Sequence, residues 1–221
     1  MGYGAVLFDL DGTLIDTQKG IVRSFAHTFR TLGCEVEEQT IRRYLGPPLR
    51  ESFAQHFSGE TVERAVQIYR DYYARHGLEG VAPFEGVPDM LKALRAAGYT
   101  VCVATGKARD VALQVLEHFS MTQYFAYIGG ASADASLETK AAVIRSVLAQ
   151  PALAGLRAVM VGDRDNDMQG ARACGLNAVG VRYGYAFAGE LEAYAPVYLA
   201  QDARDLCRWL LDNKEQGRTE R

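Results

Sequence analysis

The chain has 221 residues, of which 48% are hydrophobic and 23% are charged, and its formal net charge at pH 7 is −3. This length is enough to bury a full core, and the composition is that of an ordinary globular protein. Neither the small negative charge nor any run of basic residues indicates nucleic-acid binding, and no apolar run is long enough to cross a bilayer.

The cysteine pattern and the N-terminus predict the compartment. The four cysteines form no C-x-x-C pair and have no metal-ligand spacing, so a reducing compartment is favoured over a disulfide-stabilised fold. The first apolar run is interrupted by Asp9 and has no basic residues before it, so it is not predicted to be a signal peptide. We therefore expect a soluble, cytoplasmic protein.

The first predicted element is a strand that ends in two aspartates. The apolar run Ala5–Phe8 is typical of a strand buried on both faces of a parallel sheet, and alternation places Asp9 and Asp11 on one side of the chain. Gly12 allows a sharp turn at this point. An isolated Asp-x-Asp-Gly sequence is more typical of an acidic turn, so its interpretation depends on the rest of the chain.

The next segment, residues 17–82, is predicted to be an all-helical insertion. Apolar residues recur at helical spacing from Ile21 to Leu32, and nothing in the segment is typical of a strand. Further helices are expected over residues 38–45 and 48–57, and from the N-cap Ser58 to about His76.

From Pro83 onwards, strand and helix patterns alternate, which predicts βαβ units and a parallel sheet flanked by helices. Because one strand precedes the insertion and the others follow it, we predict a core of residues 1–16 and 83–221 and a small helical cap of residues 17–82. The later strands are expected at residues 100–104, 124–128, 157–161, 177–181 and 197–199, with a loop at 129–130. Helices are expected at residues 87–97, 110–119, 139–148, 167–174 and 206–211, followed by a frayed tail over 213–221.

Four groups of polar residues fall at or near the carboxyl ends of these strands, which is where open parallel sheets bind ligands. Each group alone has a structural explanation, such as a helix cap or a solvated surface lysine. The coincidence of all four, in order, predicts one functional site. The groups are Asp9 with Asp11, Thr105 with Gly106, Lys140, and Asp163 with Asp167.

The residue types in these groups suit metal-assisted phosphoryl transfer. Aspartate oxygens without sulfur or imidazole nearby favour Mg²⁺. Thr105, the neighbouring amides and Lys140 supply donors and a positive charge for phosphoryl oxygens. A carboxylate that faces such a group can attack phosphorus and form an aspartyl-phosphate, and a second carboxylate can move the protons.

At this point the chain resembles the capped phosphatases of the haloacid dehalogenase (HAD) superfamily. The first motif is Asp9-Leu-Asp11-Gly-Thr13-Leu, the second is Thr105-Gly-Lys, the third is Lys140, and the fourth is Gly162-Asp163-Arg-Asp-Asn-Asp167. The resemblance covers nearly the whole chain. It implies an α/β, Rossmann-like HAD core with a parallel sheet flanked by helices, and a small all-helical cap domain.

The resemblance also implies a role for each motif residue. Asp9 would be the nucleophile and Asp11 the acid/base. Thr105, Gly106 and Lys140 would hold the phosphate. The Mg²⁺ ligands would be Asp9, the Asp11 carbonyl and Asp163, with Asp167 behind them or acting through water.

Two short segments resemble the phosphoglycolate phosphatase and 5′-nucleotidase-like branch: Gly46-Pro-Pro-Leu-Arg50 in the cap and Arg182-Tyr-Gly-Tyr185. This branch implies hydrolysis of a small phosphorylated metabolite, with phosphoglycolate or a nucleoside 5′-monophosphate as leading candidates. With the charge and the lack of a long apolar run, we expect no nucleic-acid or membrane partner, and a monomer or homodimer. Arg50 is a candidate contact for a substrate carboxylate or second phosphate, and a solvated helix arginine is the alternative.

Two other functions stay open on the sequence. A phosphosugar mutase of the β-phosphoglucomutase type can share all four motifs and the same aspartyl-phosphate chemistry. A regulatory binding module could keep the fold without turnover, although every predicted catalytic position is filled.

Overall fold

The computed structural model describes residues 2–132, 137 and 139–214, and the chain divides into two compact units. The first unit comprises the residues up to Leu14 and from Pro83 onwards, and we call it the core unit. The second is Ile15–Ala82, which we call the insert. The helical insertion was predicted over residues 17–82. The insert starts two residues earlier, at Ile15, and ends at the same residue, Ala82.

The core unit is built on a six-stranded sheet in which every pairing is parallel. In chain order, the strands of the protein are β1 (Ala5–Phe8), β2 (Ile15–Asp16), β3 (Ala82–Pro83), β4 (Thr100–Ala108), β5 (Tyr127–Ala131), β6 (Ala158–Gly162), β7 (Asn177–Val181) and β8 (Tyr198–Ala200). Strands β2 and β3 pair with each other, and the order in the large sheet is β5-β4-β1-β6-β7-β8. The central position of β1 explains its unbroken apolar run, because both of its faces and both of its edges are covered.

Helices cover the sheet, so the predicted parallel sheet flanked by helices is confirmed. The helices are α1 (Gln18–Thr31), α2 (Glu38–Ile41), α3 (Leu49–Ala54) and α4 (Glu60–His76) in the insert, and α5 (Val87–Ala96), α6 (Arg109–His118), α7 (Lys140–Leu148), α8 (Asp165–Ala173) and α9 (Ala203–Asp212) in the core unit. Within the described residues, no helix has the length and apolar character needed to cross a membrane.

Apolar side chains from α7 and α8 pack against one side of the sheet. Leu7 of β1 and Met160 of β6 belong to one buried cluster with Val143 and Ile144 of α7 and Ala171 of α8. Burial of this kind contributes about 25 cal/mol per Å² of apolar surface to the stability of the core unit. The cluster holds the start of α7 next to the central strands, which matters for the site described below.

The insert has an aromatic core of its own. The ring of Phe25 lies 5.4, 5.0 and 4.9 Å from the rings of Tyr44, Phe53 and Tyr69, centroid to centroid. These separations are typical of favourable aromatic contacts. Phe25 and Phe53 are fully buried. The helical pattern predicted for the insert therefore corresponds to helices that share one buried cluster.

The predicted position of β5 is wrong by three residues. Gly129 and Gly130, which were predicted to form a loop, lie inside the strand. A Cβ at position 129 would overlap Val147 of α7, and a Cβ at 130 would lie 2.6 Å from the carbonyl of Lys107. The two glycines therefore allow close packing within a strand, which sequence patterns do not distinguish from a turn.

Several other predicted boundaries also move. Strand β4 runs on to Ala108, with an irregular register between Ala104 and Ala108, so Thr105-Gly-Lys is not a separate loop. The helix predicted from Ser58 has Gly59 as its N-cap, at a φ of 56°, a conformation that favours glycine. The helix predicted over residues 48–57 is limited to α3, and the predicted tail beyond residue 214 lies outside the described residues.

Candidate active site

The predicted site residues converge at the carboxyl ends of the three central strands. Asp9 follows β1, Thr105 lies in the irregular part of β4, and Asp163 follows β6. Because β4 and β6 are the two neighbours of β1, these ends are adjacent in the sheet. Lys140 is the first residue of α7, and its long side chain reaches the same point. The structure thus brings together groups that are up to 158 residues apart in the sequence.

Lys140 is a buried cation between two aspartates. Its Nζ atom lies 2.7 Å from Asp9 Oδ1 and 2.7 Å from Asp167 Oδ1, and it donates a hydrogen bond to the carbonyl of Ala104 at 3.2 Å. Burial alone would lower the pKa of Lys140, but the charges of Asp167 and Asp9 raise it above its usual range. The lysine is therefore charged, and it fixes the carboxylate of Asp9.

Asp9 is buried and still able to react. Burial raises the pKa of Asp9 to about 6, although the charge of Lys140 acts in the opposite direction. Lys140 holds Oδ1, and among the described residues no donor forms a hydrogen bond with Oδ2. One oxygen of Asp9 is thus positioned, and the other is available to an incoming group.

Asp163 is fully buried and held by two neutral donors. The hydroxyl of Thr13 donates to Oδ1 at 3.1 Å, and the backbone N–H of Tyr185 donates to Oδ2 at 2.8 Å. No cation among the described residues forms an ion pair with this carboxylate. Burial, together with the charges of Asp167 and Asp9, raises the pKa of Asp163 well above its usual range. This is a carboxylate that lacks a balancing charge.

Asp167 supports the other residues of the site. Its Oδ2 accepts hydrogen bonds from the N–H groups of Asp163 at 3.1 Å and Arg164 at 3.0 Å, which caps the start of α8. Its Oδ1 forms the ion pair with Lys140. With both oxygens engaged, Asp167 fixes the Asp163 segment and the position of Lys140.

Asp11 contacts a second lysine, Lys107, for which the sequence motifs predicted no role. Lys107 Nζ donates to both carboxylate oxygens of Asp11, at 3.0 and 2.8 Å, and the side chains are only 9% and 18% exposed. Lys107 lies in the second motif, Thr105-Gly-Lys, so the signal was present in the sequence. Which carboxylate it reaches depends on the extension of β4, which the sequence did not predict.

The two residues predicted to bind phosphate beside Lys140 differ in their surroundings. Thr105 is buried, and its Oγ1 accepts a hydrogen bond from the N–H of Lys107 at 3.2 Å. Gly106 is exposed, and a Cβ added there would meet no atom within 4 Å. Packing within the described residues therefore does not demand glycine at this position, in contrast to Gly12 and Gly184, where a Cβ would overlap Asp163.

Arg50, the candidate substrate contact in the insert, lies on the surface of α3. Its Nε is 2.7 Å from Glu63 Oε1, and the two side chains are 42% and 60% exposed. An exposed ion pair of this kind is screened by solvent and contributes little to stability. Arg50 is thus held by α4 of the insert, and the core unit alone defines the aspartate and lysine cluster.

The aspartate cluster fits a divalent cation. Asp9, Asp163 and Asp167 offer ligand atoms that all lie within 4.8 Å of one another, and all three residues are buried. Lys140 supplies one positive charge against these three carboxylates. The remaining negative charge and the all-oxygen donor set are what Mg²⁺ requires, whereas zinc and copper sites favour nitrogen or sulfur ligands.

Known proteins share both the sequence and the fold of this chain. A family model described as haloacid dehalogenase-like hydrolase matches residues 6–181. The chain is 35% identical over 203 residues to a 5′-nucleotidase of Pseudomonas aeruginosa, covering 90% of this chain and 92% of that protein. A crystal structure of a predicted phosphatase from Clostridium acetobutylicum is 33% identical with a TM-score of 0.88, covering 96% of this chain and 100% of that chain.

A further relative carries a different name. The tyrosine-protein kinase PtkA of Mycobacterium tuberculosis is 41% identical over 181 residues, which is 81% of this chain. This alignment spans only 62% of the relative. The similarity therefore extends over most of this chain but over less than two thirds of that protein.

Proposed function

The chain belongs to the haloacid dehalogenase-like hydrolase family, and from this premise we propose that it is a Mg²⁺-dependent phosphatase of small phosphate monoesters. Family membership confirms the resemblance predicted from the motifs. The observation that carries the proposal is the buried group at the end of β1, where Lys140 orients Asp9 beside the uncompensated carboxylate of Asp163. The proposed reaction proceeds through an aspartyl-phosphate on Asp9.

In the first half of the reaction, Asp9 Oδ2 attacks phosphorus, and the bond from phosphorus to the ester oxygen breaks. Asp11 donates a proton to the departing oxygen. In the second half, Asp11 takes a proton from water as the water oxygen attacks phosphorus, which releases phosphate and restores Asp9. Asp11 is two residues from Asp9, so both carboxylates can serve the same phosphoryl group.

The other residues hold and balance the charges. Asp9, the Asp11 carbonyl and Asp163 would hold Mg²⁺, with Asp167 behind them, and the bound ion would stabilise the charge on the phosphoryl oxygens. Thr105 and the N–H of Gly106 would donate to those oxygens. Lys140 already contacts Asp9, Asp167 and the Ala104 carbonyl, so its main effect would be to orient Asp9.

The substrate class follows from the branch that the two short segments resemble. Phosphoglycolate and nucleoside 5′-monophosphates are the leading candidates, and the similarity to a 5′-nucleotidase supports the second of these. We assign the choice of substrate to the insert, acting as a cap. Arg50 is a candidate contact for a second anionic group of the substrate, for which it would leave Glu63.

Replacement of the proposed nucleophile tests the mechanism. Asp9→Asn should reduce phosphate release from p-nitrophenyl phosphate by at least about 1,000-fold, because the amide cannot form the acyl-phosphate. Asp89→Asn is the matched control, since Asp89 is an exposed aspartate on α5. Full activity of Asp9→Asn, or of the wild type in excess EDTA, would contradict the proposal.

A substrate panel separates the phosphatase from the mutase. The panel should contain phosphoglycolate, nucleoside 5′-monophosphates and hexose phosphates, with release of inorganic phosphate as the measurement. Incubation with β-glucose 1-phosphate, followed by ³¹P NMR, would detect an isomerised sugar phosphate in place of free phosphate. Binding of phosphate mimics without turnover across the panel would support the non-catalytic alternative.

The similarity to PtkA favours one second candidate, phosphoryl transfer from ATP to protein tyrosine. The direct test is incubation with γ-³²P-labelled ATP and a tyrosine-containing polypeptide. Label on the polypeptide would support the kinase, whereas labelled inorganic phosphate alone would support hydrolysis. Asp9→Asn should abolish hydrolysis, and its effect on transfer would show whether both reactions use this site.

A further inference from the structure

The segment after β7, residues 182–190, contributes to the aspartate site through its backbone. The N–H of Tyr185 donates to Asp163 Oδ2 at 2.8 Å, which is one of the two hydrogen bonds that hold this carboxylate. The hydroxyl of Tyr183 donates to the carbonyl of Thr13 at 3.0 Å, next to the other hydrogen-bond donor of Asp163. The orientation of Asp163 therefore depends on the position of this segment, which we call the β7 loop.

The residues of the β7 loop form no helix or strand themselves. Glu190 supplies contacts in place of regular structure. Its Oε2 accepts the N–H of Phe187 at 3.0 Å, within the loop itself. Its Oε1 accepts the Nε–H of Arg164 at 2.7 Å and the N–H of Asp165 at 2.9 Å. One carboxylate thus joins the β7 loop to the two residues that follow Asp163.

This connection is shielded from solvent. The side chains of Arg164 and Glu190 are only 8% and 13% exposed, and the guanidinium of Arg164 lies 5.4 Å from the ring centre of Phe187. Charge-assisted hydrogen bonds are roughly twice as strong as neutral ones, and a low local dielectric strengthens them further. The Glu190 contacts are therefore suited to fix a turn segment against the start of α8.

We propose that Glu190 is a positioning residue for Asp163: it anchors the β7 loop so that the N–H of Tyr185 stays on Oδ2 and the carboxylate keeps its metal-binding orientation. The inference rests on the proposed Mg²⁺ site. Residues that orient metal ligands typically change metal affinity by about 10- to 100-fold when they are replaced. Glu190 does not itself contact the cluster of Asp9, Asp163 and Asp167.

The test compares two glutamates that are two residues apart. Glu190→Ala should weaken Mg²⁺ binding by about 10-fold or more, measured by isothermal titration calorimetry. Glu190→Gln keeps one acceptor oxygen, which can still accept from Arg164 and Asp165, but it replaces the other oxygen with an NH₂ donor and removes the charge, so it should give a smaller loss. Glu192→Ala is the matched control, because Glu192 pairs at 2.7 Å with Arg182 on the surface, where the side chains are 44% and 42% exposed. The backbone of Arg182 stays fixed without this pair, since its N–H donates to the carbonyl of Ala200 in β8 at 2.9 Å. This control should bind Mg²⁺ like the wild type.

The kinetic signature of positioning differs from that of general destabilisation. The activity of Glu190→Ala on p-nitrophenyl phosphate should require more Mg²⁺, and excess Mg²⁺ should restore most of kcat. A variant that had lost part of its fold would not recover in this way. If Glu190→Ala fails to fold by circular dichroism, Glu190→Gln decides the question with the same titration.

Amide exchange separates this inference from the proposed function. In metal-free protein, Glu190→Ala should speed exchange of the Tyr185 N–H by about 10-fold or more, while Glu192→Ala should not change it. Unchanged Mg²⁺ affinity and unchanged Tyr185 exchange in Glu190→Ala would overturn the proposal. If the wild type binds no Mg²⁺ but the exchange result holds, the metal site is wrong and the anchoring of Asp163 stands.

Discussion

At the scale of single residues, the site contains two lysines that pair with aspartates, with different consequences. Lys140 contacts Asp9 together with Asp167, whereas Lys107 contacts both oxygens of Asp11. In the proposed mechanism, the carboxylate of Asp11 donates and accepts protons. It must therefore be held in place, and it must also separate from Lys107 as the proton moves. Lys107 is thus expected to control where the side chain of Asp11 points before substrate binds.

Replacing Lys107 tests this expectation. Lys107→Met should lower kcat by about 10-fold or more for alkyl phosphates, whose leaving oxygen takes a proton from Asp11 in the proposed mechanism. The effect on p-nitrophenyl phosphate should be smaller, because p-nitrophenolate leaves without a proton. Lys92→Met is the control, since Lys92 is an exposed lysine near Asp89 on α5. Equal losses on both substrate types would contradict a role through Asp11.

The sequence predicted the residues of the site better than their contacts. Asp9, Lys140 and Asp163 could be located because strand ends in a parallel sheet meet at one edge, whatever the details of packing. The pairing of Lys107 with Asp11 could not be predicted, because a long flexible side chain reaches several acceptors from one backbone position. The hydrogen bond from Tyr185 was also missed. Its donor is a backbone N–H, which every residue except proline has, so the residue type does not indicate it.

At the scale of elements, glycines set how closely the segments at the strand ends approach one another. A Cβ at Gly184 of the β7 loop would overlap the side chain of Asp163 and the carbonyl of Gly12. A Cβ at Gly12 would overlap the carboxylate of Asp163, and Gly12 also has a φ of 84°. The turn after β1 and the β7 loop therefore approach Asp163 closely from two sides, because each has a glycine at the point of contact.

Two alanine substitutions distinguish a packing glycine from an exposed one. Gly184→Ala should lower the free energy of unfolding by about 1 to 3 kcal/mol, because the new methyl group overpacks a buried site. Gly106→Ala should stay within about 0.5 kcal/mol of the wild type, since a Cβ there meets no atom within 4 Å. Urea denaturation followed by circular dichroism measures both. Equal stability of the two variants would show that the β7 loop shifts freely.

Helices and strands could be located where the periodicity of the apolar residues and the length of the segment indicated the same structure. They could not be located where a glycine could either form a turn or allow close packing within a strand. The apolar run of β1 and the helical spacing in α1 each match one structure only. Gly129 and Gly130 were interpreted as a turn, but they allow Val147 of α7 and the backbone near Lys107 to approach β5. Such contacts are long-range, so a local pattern does not contain them.

At the scale of the whole molecule, the insert is one continuous stretch of chain with its own aromatic core. A fragment of residues 15–82 is therefore expected to fold alone, with a helical circular dichroism spectrum and a cooperative thermal transition. Phe25→Ala in this fragment should remove about 3 to 5 kcal/mol, which is comparable with the total stability of so small a domain. A fragment that is unfolded without the substitution would show that the insert depends on the core unit.

The core unit has the opposite organisation, because its central strand β1 precedes the insert and both neighbours of β1 follow the insert. Ala5 in β1 pairs with Thr100 in β4 and Ala158 in β6. About 150 residues of synthesis separate β1 from β6, so at about 5 to 20 residues per second one edge of this apolar strand stays unpaired for about 8 to 30 s. A charged residue beside such a strand opposes aggregation of the unfolded chain. Asp9 and Asp11 are therefore expected to protect the nascent protein well before Asp9 meets Lys140 and Asp163 in the folded core unit.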